Sequence, residues 1–282
     1  MILVDFNGLT VGTIISQKAE LKEDVIRHII LNLLRQYNVM FREQYGDMVI
    51  CCEGRSWRKN FFPHYKAARK KGRETSSVDW DEVYRIMNLV TEELVDHTHY
   101  KVVRVENAEA DDIIGVLTEQ TQDFGKHEPV MILSADKDFI QLHKYDNVKQ
   151  YSPMQKKYVK DDNPRTYLLH HIIKGDSSDG IPNILSADDT FVTDARQSPA
   201  RSKFIQEFVD YIDRLDDYSD REVVRNYQRN RKLIDLSLCP DDIKYNIINT
   251  HDQAKVVDKS NILNYLIKKR CKMLIECVEE FY

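Results

Sequence analysis

The chain has 282 residues, of which 42% are hydrophobic and 31% are charged, and its formal net charge is −5. A chain of this length buries a substantial core, as one large domain or as two smaller ones. Its apolar runs are strand-sized, which excludes a membrane-spanning helix, and its first residues lack the basic start and long apolar core of a signal peptide, so we expect a cytoplasmic protein.

The five cysteines form no Cys-x-x-Cys pair, and their odd number leaves one over from any complete pairing. This pattern fits a reducing compartment and argues against both a disulfide scaffold and a zinc site. The histidines show no spacing typical of zinc ligation or of nucleophilic catalysis.

Two short apolar strands near the start of the chain each end in an acid. Met1 to Phe6 reads as a buried strand that carries Asp5 and is followed by a turn signal, and Met48 to Cys52 reads as a strand that ends at Glu53. Between them, Leu21 to Phe41 has apolar residues at helical spacing. Continuously apolar strands are typical of parallel sheets, whose ligands bind beyond the carboxyl ends of the strands.

The segment from Arg55 to Arg73 contains eight basic residues and no acid. It also carries aromatic residues, including Trp57 and Tyr65. Cations bind phosphates, and aromatic faces stack on bases or pack under the backbone, so this segment favours a nucleic-acid contact over a solvated helix. Trp57 and Tyr65 are candidates for stacking. The basic candidates are Arg55, Arg58, Lys59, Lys66, Arg69, Lys70, Lys71 and Arg73.

Helical periodicity returns from Asp79 or Trp80 to His97, and Tyr100 to Val105 alternates as a strand. Asn107 is the predicted cap of a helix that begins at Ala108. The first turn of this helix is unusually acidic, with Glu109, Asp111 and Asp112.

A further buried strand, Pro129 to Leu133, runs into the sequence Ser134-Ala-Asp-Lys-Asp138 and a helical turn. Val148 to Val159 reads as a hairpin or as short strands. Repeated alternation of helices with acid-terminated strands predicts an α/β fold, with a mainly parallel central sheet and helices on both faces.

Pro164 to Ile173 reads as a helix that leads into a tight loop from Gly175 to Ile184. The loop contributes Asp176 and Asp179. Residues from Phe204 to Tyr282 are helical in pattern.

Nine carboxylates are the candidate metal ligands, because strand after strand ends in an acid at what should be one edge of the sheet. Mg²⁺ takes oxygen ligands from separate elements, and two such ions can promote phosphodiester hydrolysis without a nucleophilic side chain. Ordinary helix caps are the alternative for any single pair of acids. An aspartyl-nucleophile phosphatase is disfavoured, because Asn7 stands two residues after the first strand's acid. The nine are Asp5, Glu53, Glu109, Asp111, Asp112, Asp136, Asp138, Asp176 and Asp179.

Five stretches of the chain resemble the 5′-nucleases of the flap endonuclease superfamily, and most closely the phage ribonuclease H of T-even type. The resemblance runs, with gaps, along nearly the whole chain. The stretches are Val4 to Phe6, Glu109 to Asp112, Ser134 to Tyr145, Asn147 to Met154 and Lys174 to Asp179.

This resemblance implies a PIN-like nuclease core at residues 1–185 with a helical arch at about 55–80, and a C-terminal helical DNA-binding region at 186–282. Arch residues from about 70 to 77 are expected to be disordered without DNA. The departures are Glu53, where the family usually has Asp, and the segment after Asp179, which lacks a second glycine motif, so no K⁺ site is carried over.

By the same resemblance, five acids surround a first metal ion and four lie around or near a second, and Mn²⁺ is expected to substitute for Mg²⁺. The first set is Asp5, Glu53, Glu109, Asp111 and Asp136, and the second is Asp112, Asp138, Asp176 and Asp179. Lys66 and Arg69 match the family's pair that contacts the scissile phosphate, and with Asp136 they are the predicted catalytic residues.

The resulting expectation is a monomeric 5′ to 3′ exonuclease and flap endonuclease that removes RNA primers, with RNA–DNA hybrids and duplex or flapped DNA as substrates. A single-strand-binding protein and a sliding clamp are the candidate partners that the family implies. Two alternatives stay open. One is a PIN-type ribonuclease on single-stranded RNA, and the other is an inactive structure-specific DNA-binding protein.

Overall fold

The computed structural model of the chain describes residues 1–18 and 20–282, and the side chains of all of these except 70, 71, 74 and 124. Six strands are present in this described part: β1 Ile2–Asp5, β2 Met48–Cys52, β3 Lys101–Arg104, β4 Val130–Leu133, β5 Val148–Ser152 and β6 Lys157–Val159.

Twelve α-helices are present in residues 1–18 and 20–282: α1 Phe6–Ser16, α2 Glu23–Tyr45, α3 Arg58–Phe61, α4 Ala67–Glu74, α5 Trp80–His97, α6 Ala110–Gln120, α7 Pro164–Lys174, α8 Ser202–Val209, α9 Arg221–Ile234, α10 Asp241–Asp252, α11 Asn261–Lys268 and α12 Lys272–Ile275. Short 3₁₀ helices include Lys137–Lys144, directly after the β4 turn.

The strands form one six-stranded sheet in the order β3-β2-β1-β4-β5-β6. All pairings are parallel except the β5–β6 hairpin, so the predicted mainly parallel α/β fold is confirmed. Every residue of β1, β2 and β4 is buried. Because successive side chains point to opposite faces, both faces of the central sheet are covered.

The order of the sheet reverses between β1 and β4. The chain moves outward from β1 through β2 to β3, and then crosses back to place β4 on the other side of β1. In an open α/β sheet this reversal leaves a crevice outside the carboxyl ends of the two strands, and ligands bind there. The register pairs Val4 with Leu133, so Asp5 and Ser134 are the next residues at the carboxyl ends of β1 and β4.

Residue contacts divide the chain into two units, each discontinuous in sequence. The sheet unit comprises Met1–Arg55, Asp79–Lys160 and Pro240–Tyr282, and the helical unit comprises Ser56–Val78 and Asp161–Cys239. The predicted linear division into residues 1–185 and 186–282 stays a prediction. Within the described residues, no helix has both the length and the apolar character needed to cross a bilayer.

The helical unit has an apolar core of its own. It is built on residues of α7, α8 and α9, among them Ile173, Phe208 and Tyr227. Phe62 and Tyr65, from the basic segment, belong to the same core. This segment is therefore anchored by aromatic side chains. Trp57 and Tyr65 are only 6% and 3% exposed, which favours the packing alternative over stacking on bases for these two residues.

Helix α1 was not predicted, because the residues after Asp5 read as a turn. The chain instead enters the helix at once, and Asp5 is its N-cap, with a side chain that accepts a hydrogen bond from the Gly8 N–H. A capping Asp satisfies an otherwise unpaired N–H of the first turn, which allows a strand and a helix to follow each other without a loop.

Two further expectations differ from the structure. Helix α6 begins at Ala110 with Glu109 as its N-cap, so Asn107 is not the cap. The arch segment predicted to be disordered, about 70–77, overlaps helix α4, Ala67–Glu74. Alanine is the strongest helix former, and the helix begins with two alanines, which outweighs the polar composition of the segment.

A buried ion network joins three elements of the sheet unit. The Arg27 guanidinium of α2 donates two hydrogen bonds to the Glu93 carboxylate of α5, at 2.6 and 3.0 Å. The Tyr265 hydroxyl of α11 also donates to Glu93 at 2.7 Å, and the Lys269 ammonium lies 2.5 Å from it. Burial alone would raise the pKa of Glu93, but these donors outweigh it and lower the pKa to about 2.

Glu93→Gln should destabilise the protein by about 3 kcal/mol, because it leaves the buried Arg27 guanidinium and the partly buried Lys269 ammonium without their anion. Glu92→Gln, on the exposed face of the same helix, is the control and should change stability by less than about 0.5 kcal/mol. Urea unfolding monitored by circular dichroism measures the free energy of unfolding of both variants.

The stabilisation by Glu93 should also depend on pH. Since the pKa of Glu93 is depressed in the folded state, its contribution to the free energy of unfolding is complete above the ordinary pKa of about 4.3 and is lost as the pH falls towards 2. Equal stability of the two variants would contradict this account.

Candidate metal centre

Asp5 and Asp136 approach each other where the strand order reverses. The Ser134 hydroxyl donates a hydrogen bond of 2.8 Å to the Asp5 Oδ2 atom. The same hydroxyl accepts a hydrogen bond of 3.0 Å from the backbone N–H of Asp136. Ser134 is 1% exposed, so one buried hydroxyl fixes both acid-bearing segments.

The second oxygen of Asp5 is also held. Its Oδ1 atom accepts a hydrogen bond of 2.8 Å from the Gly8 N–H. A Cβ atom on Gly8 would lie 2.2 Å from the Asp5 Oδ2 atom, so no other residue fits here without displacing the carboxylate. Asp5 is 8% exposed, and its orientation is therefore set by the fold.

Glu53 leaves β2 and reaches the start of α6. Its Oε2 atom accepts a hydrogen bond of 3.3 Å from the Ala110 N–H. The neighbouring Gly54 passes so close to the loop before α6 that a Cβ atom would lie 2.1 Å from the Val105 carbonyl oxygen. The longer side chain of Glu, which departs from the family's usual Asp, is thus accommodated beside a helix N-terminus, where negative charge is stabilised.

The acids of α6 differ in exposure. Glu109 and Asp112 are 4% and 0% exposed, and Asp111 is half-buried. The Asp112 Oδ2 atom accepts a hydrogen bond of 3.0 Å from the Glu109 N–H. Asp112 therefore holds the backbone of Glu109 in place.

Asp136 and Asp138 open the 3₁₀ helix that follows β4. The Asp136 Oδ1 atom accepts a hydrogen bond of 2.9 Å from the Asp138 N–H, which caps this helix. Asp136 is exposed and Asp138 is half-buried. Asp136 thus presents a carboxylate to solvent at the point where Asp5 is fixed.

The donor set at this edge fits a hard divalent cation. Seven predicted ligands belong to the sheet unit, from Asp5 to Asp138, and all of them offer carboxylate oxygens. Mg²⁺ and Mn²⁺ prefer such ligands. The nearby β2 thiols are poor zinc ligands, because burial raises the pKa of Cys52 to about 11 and raises the pKa of Cys51 well above its ordinary value, which keeps both protonated.

The remaining two predicted ligands, Asp176 and Asp179, belong to the helical unit. Although burial disfavours the charged form of Asp176, hydrogen bonds from His171 and Ser178 outweigh it and hold its pKa well below the ordinary value. The Ser178 hydroxyl and N–H each donate to Asp176 Oδ1 at 2.7 Å. Asp176 is therefore ionised at neutral pH.

Asp179 is surrounded by donors from the basic segment. The Tyr65 hydroxyl donates to its Oδ2 atom at 2.9 Å, the Lys66 ammonium lies 3.4 Å from the same oxygen, and the Arg69 guanidinium donates to Oδ1. The Lys66 N–H also donates to the Asp179 carbonyl oxygen at 2.7 Å. Sequence alone did not reveal this contact, because it joins residues about 110 positions apart.

The other predicted nucleic-acid contacts lie in different environments. Arg58 is 2% exposed, and its Nε atom donates to the Leu233 carbonyl oxygen at 2.7 Å, so it anchors the segment to α9. Arg55, Lys59 and Arg73 are exposed. The side chains of Lys70 and Lys71 lie outside the described part of the chain.

Sequence reasoning also missed two supporting residues, Ser134 and Gly54. Ser134 follows a buried strand directly and precedes Asp136, and this position was the available signal. Gly54 follows an acid at a strand end, where a glycine indicates a close backbone approach.

Two family models together span most of the chain. The model of the 5′-3′ exonuclease N-terminal resolvase-like domain matches residues 14–167, and the model of the T4 RNase H C-terminal region matches residues 163–281. The first match includes the acids from Glu53 to Asp138 and begins after Asp5.

Individual relatives agree with these models. Ribonuclease H of Enterobacteria phage T4 is 31% identical over 300 aligned residues, which cover 99% of this chain and 95% of that protein. Among solved structures, the zinc-bound 5′-exonuclease of T5 has a TM-score of 0.63 at 15% identity, covering 90% of this chain and 99% of that one. The flap endonuclease of bacteriophage T5, in a pseudo-enzyme-product complex with DNA and metal ions, has a TM-score of 0.59 at 16% identity, covering 89% and 99%.

The structural likeness to the two T5 nucleases confirms the fold. The sequence match to the T4 ribonuclease H extends over nearly the whole length of both proteins. The chain therefore belongs to the 5′-3′ exonuclease and flap endonuclease family, and it is a nuclease of the T4 ribonuclease H type.

Proposed function

We propose that the chain is a Mg²⁺-dependent 5′ to 3′ exonuclease and flap endonuclease that removes RNA primers during lagging-strand synthesis. The observation that carries the proposal is the meeting of Asp5 and Asp136 through Ser134 at the reversal of the strand order. The match to a ribonuclease H over 99% of the chain supports RNA–DNA hybrids as substrates. The DNA and metal ions in the T5 complex support duplex or flapped DNA and a divalent cation.

The acids divide into two ligand sets in this proposal. Within the sheet unit, Asp5, Glu53, Glu109, Asp111 and Asp136 hold one Mg²⁺ ion, and Asp112 and Asp138 contribute to a second, with Mn²⁺ as a substitute. Two bound ions would supply an activated water and a positive charge beside the leaving oxygen of the phosphodiester. The hydrogen bonds from Ser134 and Gly8 orient Asp5 in advance, so little reorganisation is needed when a cation binds.

The basic segment is the proposed substrate contact. Lys66 and Arg69 stabilise the negative charge that develops on the scissile phosphate. Asp179 and Tyr65 hold these two cations in place before the substrate arrives. Arg55, Lys59, Lys70, Lys71 and Arg73 neutralise neighbouring phosphates, and Arg58 contributes by anchoring the segment.

The wider setting is also a prediction. The protein acts as a monomer in the host cytoplasm, and a single-strand-binding protein and a sliding clamp are its candidate partners at the replication fork.

Asp136→Asn should lose cleavage by orders of magnitude while the protein still binds a forked duplex. The amide oxygen keeps the hydrogen bond from the Asp138 N–H, so the turn is preserved and only the negative charge is removed. Single-turnover cleavage of a labelled 5′-flapped duplex in Mg²⁺ measures the loss, and a gel-shift assay measures binding.

Asp146→Asn is the matched control, since Asp146 is exposed in the same unit and lies outside the predicted ligand set. It should cleave at the wild-type rate. Normal turnover by Asp136→Asn would overturn the proposed role of this carboxylate.

Asp179→Asn and Arg69→Gln should each slow single-turnover cleavage, and the double variant should cost less than the sum of the two. The coupling should be about 1 kcal/mol, because each substitution removes the same contact. Lys59→Gln, an exposed residue of the same segment, should be additive with Asp179→Asn. Additivity of the Asp179 and Arg69 variants would mean that Asp179 does not position Arg69.

A comparison of substrates separates the proposal from its two alternatives. A 5′-flapped duplex should be cut faster than single-stranded RNA of equal length, whereas a PIN-type ribonuclease would prefer the RNA. Calorimetric titration should detect Mg²⁺ or Mn²⁺ binding to the protein. No binding of either ion, together with no cleavage, would leave the inactive DNA-binding protein as the remaining alternative.

A further inference from the structure

Gln150 is a polar residue in the middle of a buried strand. It lies in β5, beside Ile132 of β4 in the register of the sheet, and it is 0% exposed. A buried primary amide is costly unless its donors and acceptor are satisfied. Its three contacts therefore indicate what it does.

Both donor contacts of the Gln150 amide go to the turn that carries Asp136. The Nε2 atom donates to the Ser134 carbonyl oxygen at 3.0 Å and to the Asp136 carbonyl oxygen at 2.6 Å. These two carbonyl groups flank Ala135, at the point where the chain leaves β4. The amide thus clamps the backbone on both sides of the bend that sets the direction of Asp136.

The remaining atom of the amide, Oε1, lies 3.0 Å from the Nε2 atom of His143. An amide oxygen only accepts hydrogen bonds, so His143 Nε2 is the donor and carries a proton. His143 lies in the 3₁₀ helix that begins directly after Asp136. The contacts therefore close a ring that runs from Asp136 through this helix to His143, then to Gln150, and back to Asp136.

Other bonds at the turn act on the same geometry. The Ser134 N–H donates to the Tyr151 carbonyl oxygen at 3.2 Å, and the Ser134 hydroxyl joins Asp5 to the Asp136 N–H. A fully satisfied polar network in a core is rigid and favours one conformation. Both donor contacts of this buried amide go to a turn that presents a predicted metal ligand.

We propose that Gln150, with His143, is a positioning residue for the divalent-cation site, because it fixes the turn that carries Asp136 beside Asp5. The inference rests on the proposed function, in which Asp136 is a metal ligand. Residues that orient ligands from behind change metal affinity about 10–100-fold when they are replaced.

The test measures Mn²⁺ affinity of the folded protein by calorimetry and by electron paramagnetic resonance, without substrate. Gln150→Met keeps the length of the side chain and removes all three hydrogen bonds, and it should weaken Mn²⁺ binding by about 10-fold or more. Asn38→Leu is the matched control. Asn38 is another buried amide of the sheet unit, and its Nδ2 atom donates to the Glu280 and Tyr282 carbonyl oxygens instead. This control should lower the melting temperature and leave Mn²⁺ affinity unchanged.

His143 provides a second pair of variants in case Gln150→Met does not fold. His143→Ala removes the donor to Gln150 and should weaken Mn²⁺ binding, whereas His143→Gln retains an N–H donor and should restore part of it. In the same variants, the Mn²⁺ concentration for half-maximal cleavage of a flapped duplex should rise in parallel with the dissociation constant.

The outcomes separate this inference from the proposed function. Wild-type Mn²⁺ affinity in folded Gln150→Met, or in His143→Ala where that variant alone folds, would overturn the positioning role and leave the metal site intact. No Mn²⁺ binding by the wild-type protein would instead overturn the proposed function. Equal loss of affinity in Asn38→Leu would show that general destabilisation is the cause, and it would also overturn the inference.

Discussion

The site depends on the parallel pairing of β1 with β4, which are distant in sequence and adjacent in the sheet. This pairing places Asp5 and Ser134 at the same level where the strands end, and a hydrogen bond of 2.8 Å joins them. A shift of one residue in the register would turn every side chain of the strand to the opposite face. The apolar residues on both faces of β1 and β4 therefore hold the position of the carboxylates.

Close backbone contacts complete the arrangement. Gly8 allows the Asp5 carboxylate to fold back onto the first turn of α1, and Gly54 allows the end of β2 to reach the loop before α6. Each contact turns a nearby acid into an acceptor for a backbone N–H, as Asp5 is for Gly8 and Glu53 is for Ala110. The acids are oriented by the same hydrogen bonds that cap the helices, so capping and metal ligation are compatible roles for one residue.

The sequence was sufficient for the sheet, because β1, β2 and β4 are continuously apolar and each is bounded by an acid or a turn signal. It was also sufficient to identify the family from the acidic stretches. Helix α1 was missed because a strand followed directly by Asn7-Gly8 reads as a turn until the capping role of Asp5 is seen. The contacts of Asp179 with Lys66 and Arg69, and of Gln150 with the Asp136 turn, depend on tertiary structure and have no local pattern.

Seven of the nine candidate ligands belong to the sheet unit, whereas the basic segment from Ser56 onward belongs to the helical unit. The central claim is that Asp5 and Asp136 bind a divalent cation. The most direct measurement is an anomalous difference map from crystals of the protein soaked in Mn²⁺. We predict a peak within coordination distance of both carboxylates at the carboxyl ends of β1 and β4. A map with no peak at this edge, in crystals whose Mn²⁺ is bound only elsewhere, would contradict the account.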